Sequence, residues 1–349
     1  MEKSFSDHVA EILGVSENNT VLKNLLLDGF YSGLPDNVSR NVKKVLNSYD
    51  FKPRGKAGWQ CQHKGCREQS CFSHEISENA VLKNLCKTDS NVIVLKRDIQ
   101  GNPIYFVEDS QHKRNATNFP GYCSEHDAVL FADIDSGVQL FGEHYVNKQC
   151  LRSTRAQIFE LDLQIKCCDI FNDDIPCEIQ DDEEVLAVVK YFDDKRSGLE
   201  LRRKRLWEIY DRIFDGIQRG SYVVGFKNLT LGVPGFCFSA CVDLTIEGDM
   251  DACLIYVCKL DLKSSIETFV AYLKNDISEK LCDEFLSRHP IHFADLMYQR
   301  KRKIILSADL ASSLSGNVKE ILYKDDELYE IGPIEHWVIS MGFFGSANT

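Results

Sequence analysis

Apolar residues recur at three- to four-residue intervals along the first fifty positions: Val9, Ile12 and Leu13, then Val21, Leu22, Leu25 and Leu26, then Val42, Val45 and Leu46. That period places them on one side of a helix. Interruptions at Ser16–Asn19 and Gly33–Asp36 divide the stretch into two or three short helices, so a helical N-terminal cap is expected over 1–50. The Gly, Pro and basic residues of FKPRGKAG at 51–58 mark a boundary or an exposed loop.

Beyond it the elements shorten. The pattern predicts a helix from Ser77 to Cys86 and strands at Asn91–Lys96 and Pro103–Glu108. The DIQGN turn joins the strands, with Gly101 free to take positive φ. A further helix should start at Ser124, with Ala128, Val129 and Phe131 as its apolar face. Leu151–Cys168 and Leu186–Gln218 read as helices, the second broken near Ser197-Gly198, and together they form a helical connector over 151–219. Asn172–Glu184, rich in Asp and Glu and free of basic residues, is a solvated linker between them, and Arg202 to Arg205 form a basic run on the second helix.

After Gly220 the texture turns to β-branched and aromatic runs, YVVGFKNLTL, FCFSACVDLTIEG and DACLIYVCKLD. Helical spacing returns at Ser264–Asn275 and Ser278–Arg288, and Ile304–Leu306 and Trp337–Met341 read as closing strands. The expected fold class is therefore α+β. Its parts are a helical cap at 1–50, a Cys/His module at 51–150, the connector at 151–219 and a C-terminal mixed α/β sheet domain at 220–349.

Composition narrows the class. With 349 residues, 44% of them hydrophobic and only 8 Pro, the chain can bury a sizeable core and is neither collagenous nor of low complexity. No run of apolar residues is long enough to span a bilayer, and the opening residues lack a basic segment followed by an apolar one, so a soluble cytoplasmic protein without membrane contact is expected. There the 14 cysteines would stay reduced, most of them, such as Cys237, Cys241, Cys253, Cys258 and Cys282, as small buried hydrophobes.

The net charge of −12 argues against polyanion binding by the whole surface. Residues 51–118 reverse the balance, with 11 basic and 7 acidic side chains, so a phosphate-facing surface belongs there, at Lys52, Arg54, Lys56, Lys64 and Arg67.

The same stretch carries the chemical signal. Cys61-x4-Cys66 and Cys123-x2-His126 are two short-range ligand pairs, and Gly65 and Gly121 fit tight turns that present sulfur. Zinc takes four tetrahedral ligands from thiolate and imidazole, commonly as two such pairs, because each pair closes a small loop that aims both donors at one point. Cys61, Cys66, Cys123 and His126 are the expected Zn2+ ligands, with Cys71, His63 and His74 as competitors. With a hairpin between the pairs and a helix opening at the second, the layout is that of a treble clef, in which the metal supplies folding energy to a region poor in core.

The run Ser73-His74-Glu75-Ile76-Ser77, followed by Thr117-Asn118-Phe119-Pro120-Gly121-Tyr122-Cys123-Ser124-Glu125-His126-Asp127-Ala128-Val129-Leu130-Phe131, resembles a family of uncharacterised bacterial proteins. Its shared pattern is a Cys pair, a Ser-His or His-Ser step and Thr-Phe-x-Gly-Phe-Cys-x-x-His-Asp-x-x-Leu-Phe. That resemblance covers about 61–135 and implies no particular activity.

A more distant similarity is to the HNH endonucleases, which also use a treble clef. It implies His74 as the base that activates water, Asn118 or Asn115 as the loop Asn, and Asp127 as a ligand of a catalytic Mg2+ or Mn2+. This chain departs from the HNH pattern where Ser73 replaces an acidic ligand, Asp127 replaces a His, and 48 residues separate His74 from Cys123. Two functions follow as expectations. One is a zinc protein that acts on or binds nucleic acid through 51–118, with a degenerate HNH-like nuclease site. The other is an interaction or scaffold protein in which zinc is structural and the acidic C-terminal part meets a protein partner.

Overall fold

The computed structural model describes residues 59–98, 105–137, 141–173, 183–229, 234–243, 254–263, 265–287, 291–324 and 333–344. The expected N-terminal cap, the 51–58 loop with Lys52, Arg54 and Lys56, Gly101, Cys253 and most of the acidic linker lie outside them. The chain divides into two compact units, one containing 158–206 and the other 54–157 together with 207–325 and the C-terminal helix.

The larger unit mixes helix and sheet, as expected of an α+β chain. A ribbon of two antiparallel strands, β1 (Phe72–His74) and β4 (Asn118–Pro120), stands apart from a seven-stranded sheet. Between the ribbon strands come a π-helical turn (Glu78–Leu82), α1 (Lys83–Leu85), the hairpin β2 (Asn91–Asp98) and β3 (Tyr105–His112), and the short helix α2 (Lys113–Ala116). After β4 the chain enters α3 (Ser124–Asp135) and α4 (Glu143–Asp173).

Helix α5 (Glu183–Arg219) then leads into β5 (Val224–Leu229), β6 (Phe236–Asp243), β7 (Leu254–Asp261) and β8 (Ile266–Leu273). The fold closes with α6 (Asp276–Ser287), α7 (Ile291–Gln299), β9 (Ile304–Leu306), α8 (Ala308–Ser313), α9 (Gly316–Tyr323) and α10 (Pro333–Phe344). Strand order in the sheet is β3-β2-β9-β6-β7-β8-β5, every pair antiparallel. The hairpin expected inside the Cys/His module is thus an edge of the large sheet, joined through β9 to strands of 220–349, and the two expected segments share one sheet.

Strand alternation divides the faces of that sheet. Phe236, Phe238 and Ala240 of β6 join Phe293, Met297 and Ile339 of the C-terminal helices in an apolar core. The intervening Ser239 meets Ser153 of α4 at 2.8 Å, and Tyr256 of β7 meets Thr154 at 2.7 Å.

Helix α4 is therefore more than a connector. It begins at Glu143, and its first half is buried, polar and hydrogen-bonded: Asn147 takes the Val224 N–H and donates to the Val224 carbonyl, while Gln149 donates to Glu75 O. Arg152, wholly buried, forks onto Asp135 at 2.9 and 2.7 Å, and at α3's end Lys148 and His144 converge on Asp133.

Three further expectations change. Helix α5 runs unbroken through Gly198, because a glycine costs a helix interior only about 1 kcal/mol. Residues 266–273 form strand β8 between β7 and β5, where pairing on both sides overrides the helical spacing. Residues 337–341 belong to helix α10, which buries Ile339 and Phe343, four apart, against the sheet.

In the smaller unit, Arg203 of α5 pairs with Asp162 of α4 and Arg196 with Asp169. Both partners step seven residues in opposite directions, so the outer halves of these helices run antiparallel in constant register. Among the described residues no helix is long and apolar enough to cross a membrane.

Candidate metal centre

The first pair of donors sits on a knuckle built by backbone bonds. Cys61 N donates to Glu68 O at 2.8 Å and Cys66 N to His63 O at 2.9 Å, with Gly65 at φ +81° where a side chain would be strained. A bridge between Gln60 and Gln69 closes its base. The second pair opens α3: Cys123 is its N-cap residue and His126 lies in its first turn.

Two backbone bonds dock the knuckle beside that helix start, Gln62 N to Gly121 O at 3.0 Å and Cys71 N to Tyr122 O at 2.6 Å. Gly121 is required by close approach, since a Cβ there would stand 2.7 Å from the Phe119 ring and 3.1 Å from Ser73 Oγ.

The result is one compact donor set. The ligand atoms of Cys61, Cys66, Cys123 and His126 all lie within 4.8 Å of one another. His126 Nδ1 is 3.1 Å from Cys123 Sγ and 3.6 Å from Cys61 Sγ. Three sulfurs and an imidazole converging in this way can hold a metal ion. Burial pushes the Cys61 thiol up to about 11. Burial also raises Cys123, but hydrogen bonds from the His126 backbone and ring overcome it and bring that thiol down to about 7.

The competitors stand outside the set of four. His63 stacks its ring on His126, centroids 3.8 Å apart, and turns an edge to Phe214, outside the group of four donors. Burial, and then the neighbouring His126, hold His63 below its usual value. Cys71 is pushed up to about 11, by burial first and by Asp127 next.

The residues assigned by the HNH similarity are distributed by the pleat of β1. Ser73 is fully buried, accepts the Tyr122 N–H at 3.2 Å and hydrogen-bonds Asp127. His74, next along the strand, projects to the opposite side. There its Nε2 donates to Arg114 O at 3.1 Å and lies 3.9 Å from Glu78. Asn118 pairs with His74 across the ribbon and donates to the same Arg114 carbonyl at 3.0 Å.

His74 and Asn118 are thus brought together, and Asp127 bonds Ser73 while still feeling the His74 ring electrostatically. Burial raises the Asp127 carboxyl above its ordinary value, against the pull of Arg152 and Ser73. Asn118 Oδ1 and Asp127 Oδ1 are buried without a hydrogen-bond partner. Asn115, the other candidate for the loop Asn, is exposed.

Sequence reasoning named His63 only as a competing ligand, and it passed over the Arg152–Asp135 fork and Phe72, which is 40% exposed on β1. The signal for Phe72 was available in its position next to the Ser-His step. No family model, no curated protein and no solved structure matches the chain.

Proposed function

We propose that Cys61, Cys66, Cys123 and His126 bind one zinc ion, and that the module it clasps is a nucleic-acid-binding element. The observation that carries the zinc is the convergence of four donors from two short pairs within 4.8 Å. A tetrahedral zinc, with bonds of about 2.3 Å to sulfur and 2.0 Å to nitrogen, has S···N edges of roughly 3.5 Å. Of the two S···N distances, the 3.6 Å from His126 Nδ1 to Cys61 Sγ is close to that edge and the 3.1 Å to Cys123 Sγ is shorter. Zinc here joins the knuckle to α3, so it is structural, and all four positions are filled by protein.

The nucleic-acid half rests on charge. In an acidic chain, exposed Lys64, Arg67, Lys83, Lys87 and Arg114 gather in the segment that holds the knuckle, ribbon and hairpin. Cleavage is not part of the proposal, because Ser73 stands where the HNH pattern has an acidic ligand and Asp127 where it has a His, which leaves a catalytic ion with one carboxylate and a hydroxyl.

The test is binding of labelled oligonucleotides by the full chain between 50 and 200 mM salt. The expected result is affinity that falls steeply with salt and is reduced by neutralising Lys64, Arg67 and Arg114. Salt-independent binding, or none, contradicts it. A scaffold role is the second reading, favoured by α10, where Ile334 and Trp337 are 76% and 52% exposed.

A further inference from the structure

Phe72 and His74 of β1 and the nearby Arg114 are three groups that belong neither to the donor set nor to the apolar core, although the β4 residues paired with β1 are all buried. Phe72 and His74, two residues apart on β1, lie on the same side of the pleat. Ser73 between them is buried toward Tyr122 and Asp127. Phe72 is 40% exposed, so one of the larger apolar side chains of the protein faces solvent from a three-residue strand.

Beside it, the carbonyl of Arg114 accepts from the His74 ring, while the Arg114 side chain is 75% exposed and only 3.6 Å from Glu78. Only the Arg114 end of that pair is exposed, Glu78 being 18% exposed and shared with Lys113 and His74, so the water-screened guanidinium is the part able to turn to a phosphate. Lys113 adds a second positive charge next to it.

Resting on the nucleic-acid reading above, we infer that this face binds an unpaired nucleotide, its base stacked on Phe72 and its phosphate held by Arg114. Two strand residues span about 7 Å, close to one nucleotide of an extended single strand. An exposed aromatic ring and an exposed guanidinium in one short segment suit a bare base with its phosphate. In a duplex both faces of each base are covered by neighbours and only the phosphates remain to be contacted. A duplex would therefore use the arginine and leave the ring idle. Stacking of this kind tolerates any base, so the preference is for strandedness rather than sequence.

The experiment is fluorescence anisotropy of the full chain with a labelled oligo-dT, an oligo-U of the same length and a blunt duplex. Wild type is compared with Phe72→Ala, Phe72→Trp and Arg114→Ala, and zinc content is measured in each. The inference expects the single strands to bind more tightly than the duplex. Phe72→Ala should weaken single-strand binding roughly ten-fold with little change for the duplex, and Phe72→Trp should retain it. Arg114→Ala should weaken both and lower the salt slope by about one. Duplex preference, or single-strand binding indifferent to Phe72→Ala at full zinc content, overturns the inference while leaving the nucleic-acid reading in place. Absence of all binding by wild type overturns both.

Discussion

The seven-stranded sheet and the knuckle–α3 region are held by different physics. Phe236, Phe238, Phe293 and Met297 are wholly buried on the sheet's apolar face, where transfer of area from water holds strands and helices together. The knuckle contributes Cys61 and few apolar residues of its own, and between Trp59 and Cys71 its internal order is a handful of backbone bonds around Gly65. On the proposal that the four donors bind zinc, such a loop would take its fixed geometry from coordination, worth about 10–16 kcal/mol in structural zinc sites of small peptides. The contrast teaches that one region should fail when metal is withdrawn and the other when volume is.

Chelation makes the largest break. Stripping metal, or Cys123→Ser, should free the amides of Gln62, Cys66 and Cys71 to exchange with solvent while β6 and β7 keep their protection. Hydrogen exchange read by mass spectrometry checks this, and equal loss of protection in both regions would refute the comparison. Phe238→Ala attacks the other side. It opens a cavity against Phe293 and should cost about 3–5 kcal/mol in denaturant unfolding, with zinc content unchanged.

Asp135→Asn sharpens the comparison at a third kind of site. Arg152 is completely buried and forks onto Asp135, so removing the carboxylate leaves a buried cation and should cost about 3 kcal/mol or more. Burial raises the Asp135 carboxyl, but Arg152 more than offsets this and holds it below the usual carboxylate value. Its contribution is therefore fully present above the ordinary Asp range and is lost as pH falls through the depressed value. Wild type should lose stability over that acid interval, and Asp135→Asn should flatten the loss in a pH series of unfolding midpoints. The smallest effect is expected at Ser315, whose hydroxyl caps α9 by accepting the Val318 N–H; Ser315→Ala should cost about 1 kcal/mol and touch neither metal nor sheet order.

The donor set was legible because its information is local. Cys61 with Cys66, and Cys123 with His126, are each fixed by a turn of a few residues, and the chemistry of sulfur and imidazole restricts what such pairs can do. The α+β class was legible for the same reason, since alternation and helical spacing are short-range patterns.

What joined them was not. That β2 and β3 leave the ribbon to extend the sheet through β9 depends on pairing of Ile93 with Leu306, more than two hundred residues apart. The segment 266–273 carries helical spacing, yet pairing on both sides makes it a strand. Which of Ser73 and His74 bonds Tyr122 and Asp127 likewise hangs on the register of β1, and a single step would reverse it.

Metal stoichiometry tests the central claim most directly. Elemental analysis of the purified full chain should find one zinc per chain in wild type, none in Cys123→Ser, and one in His74→Ala, because His74 turns to Arg114 and Glu78 rather than to the thiolates. A folded wild type without zinc, or loss of zinc in a folded His74→Ala, would contradict it.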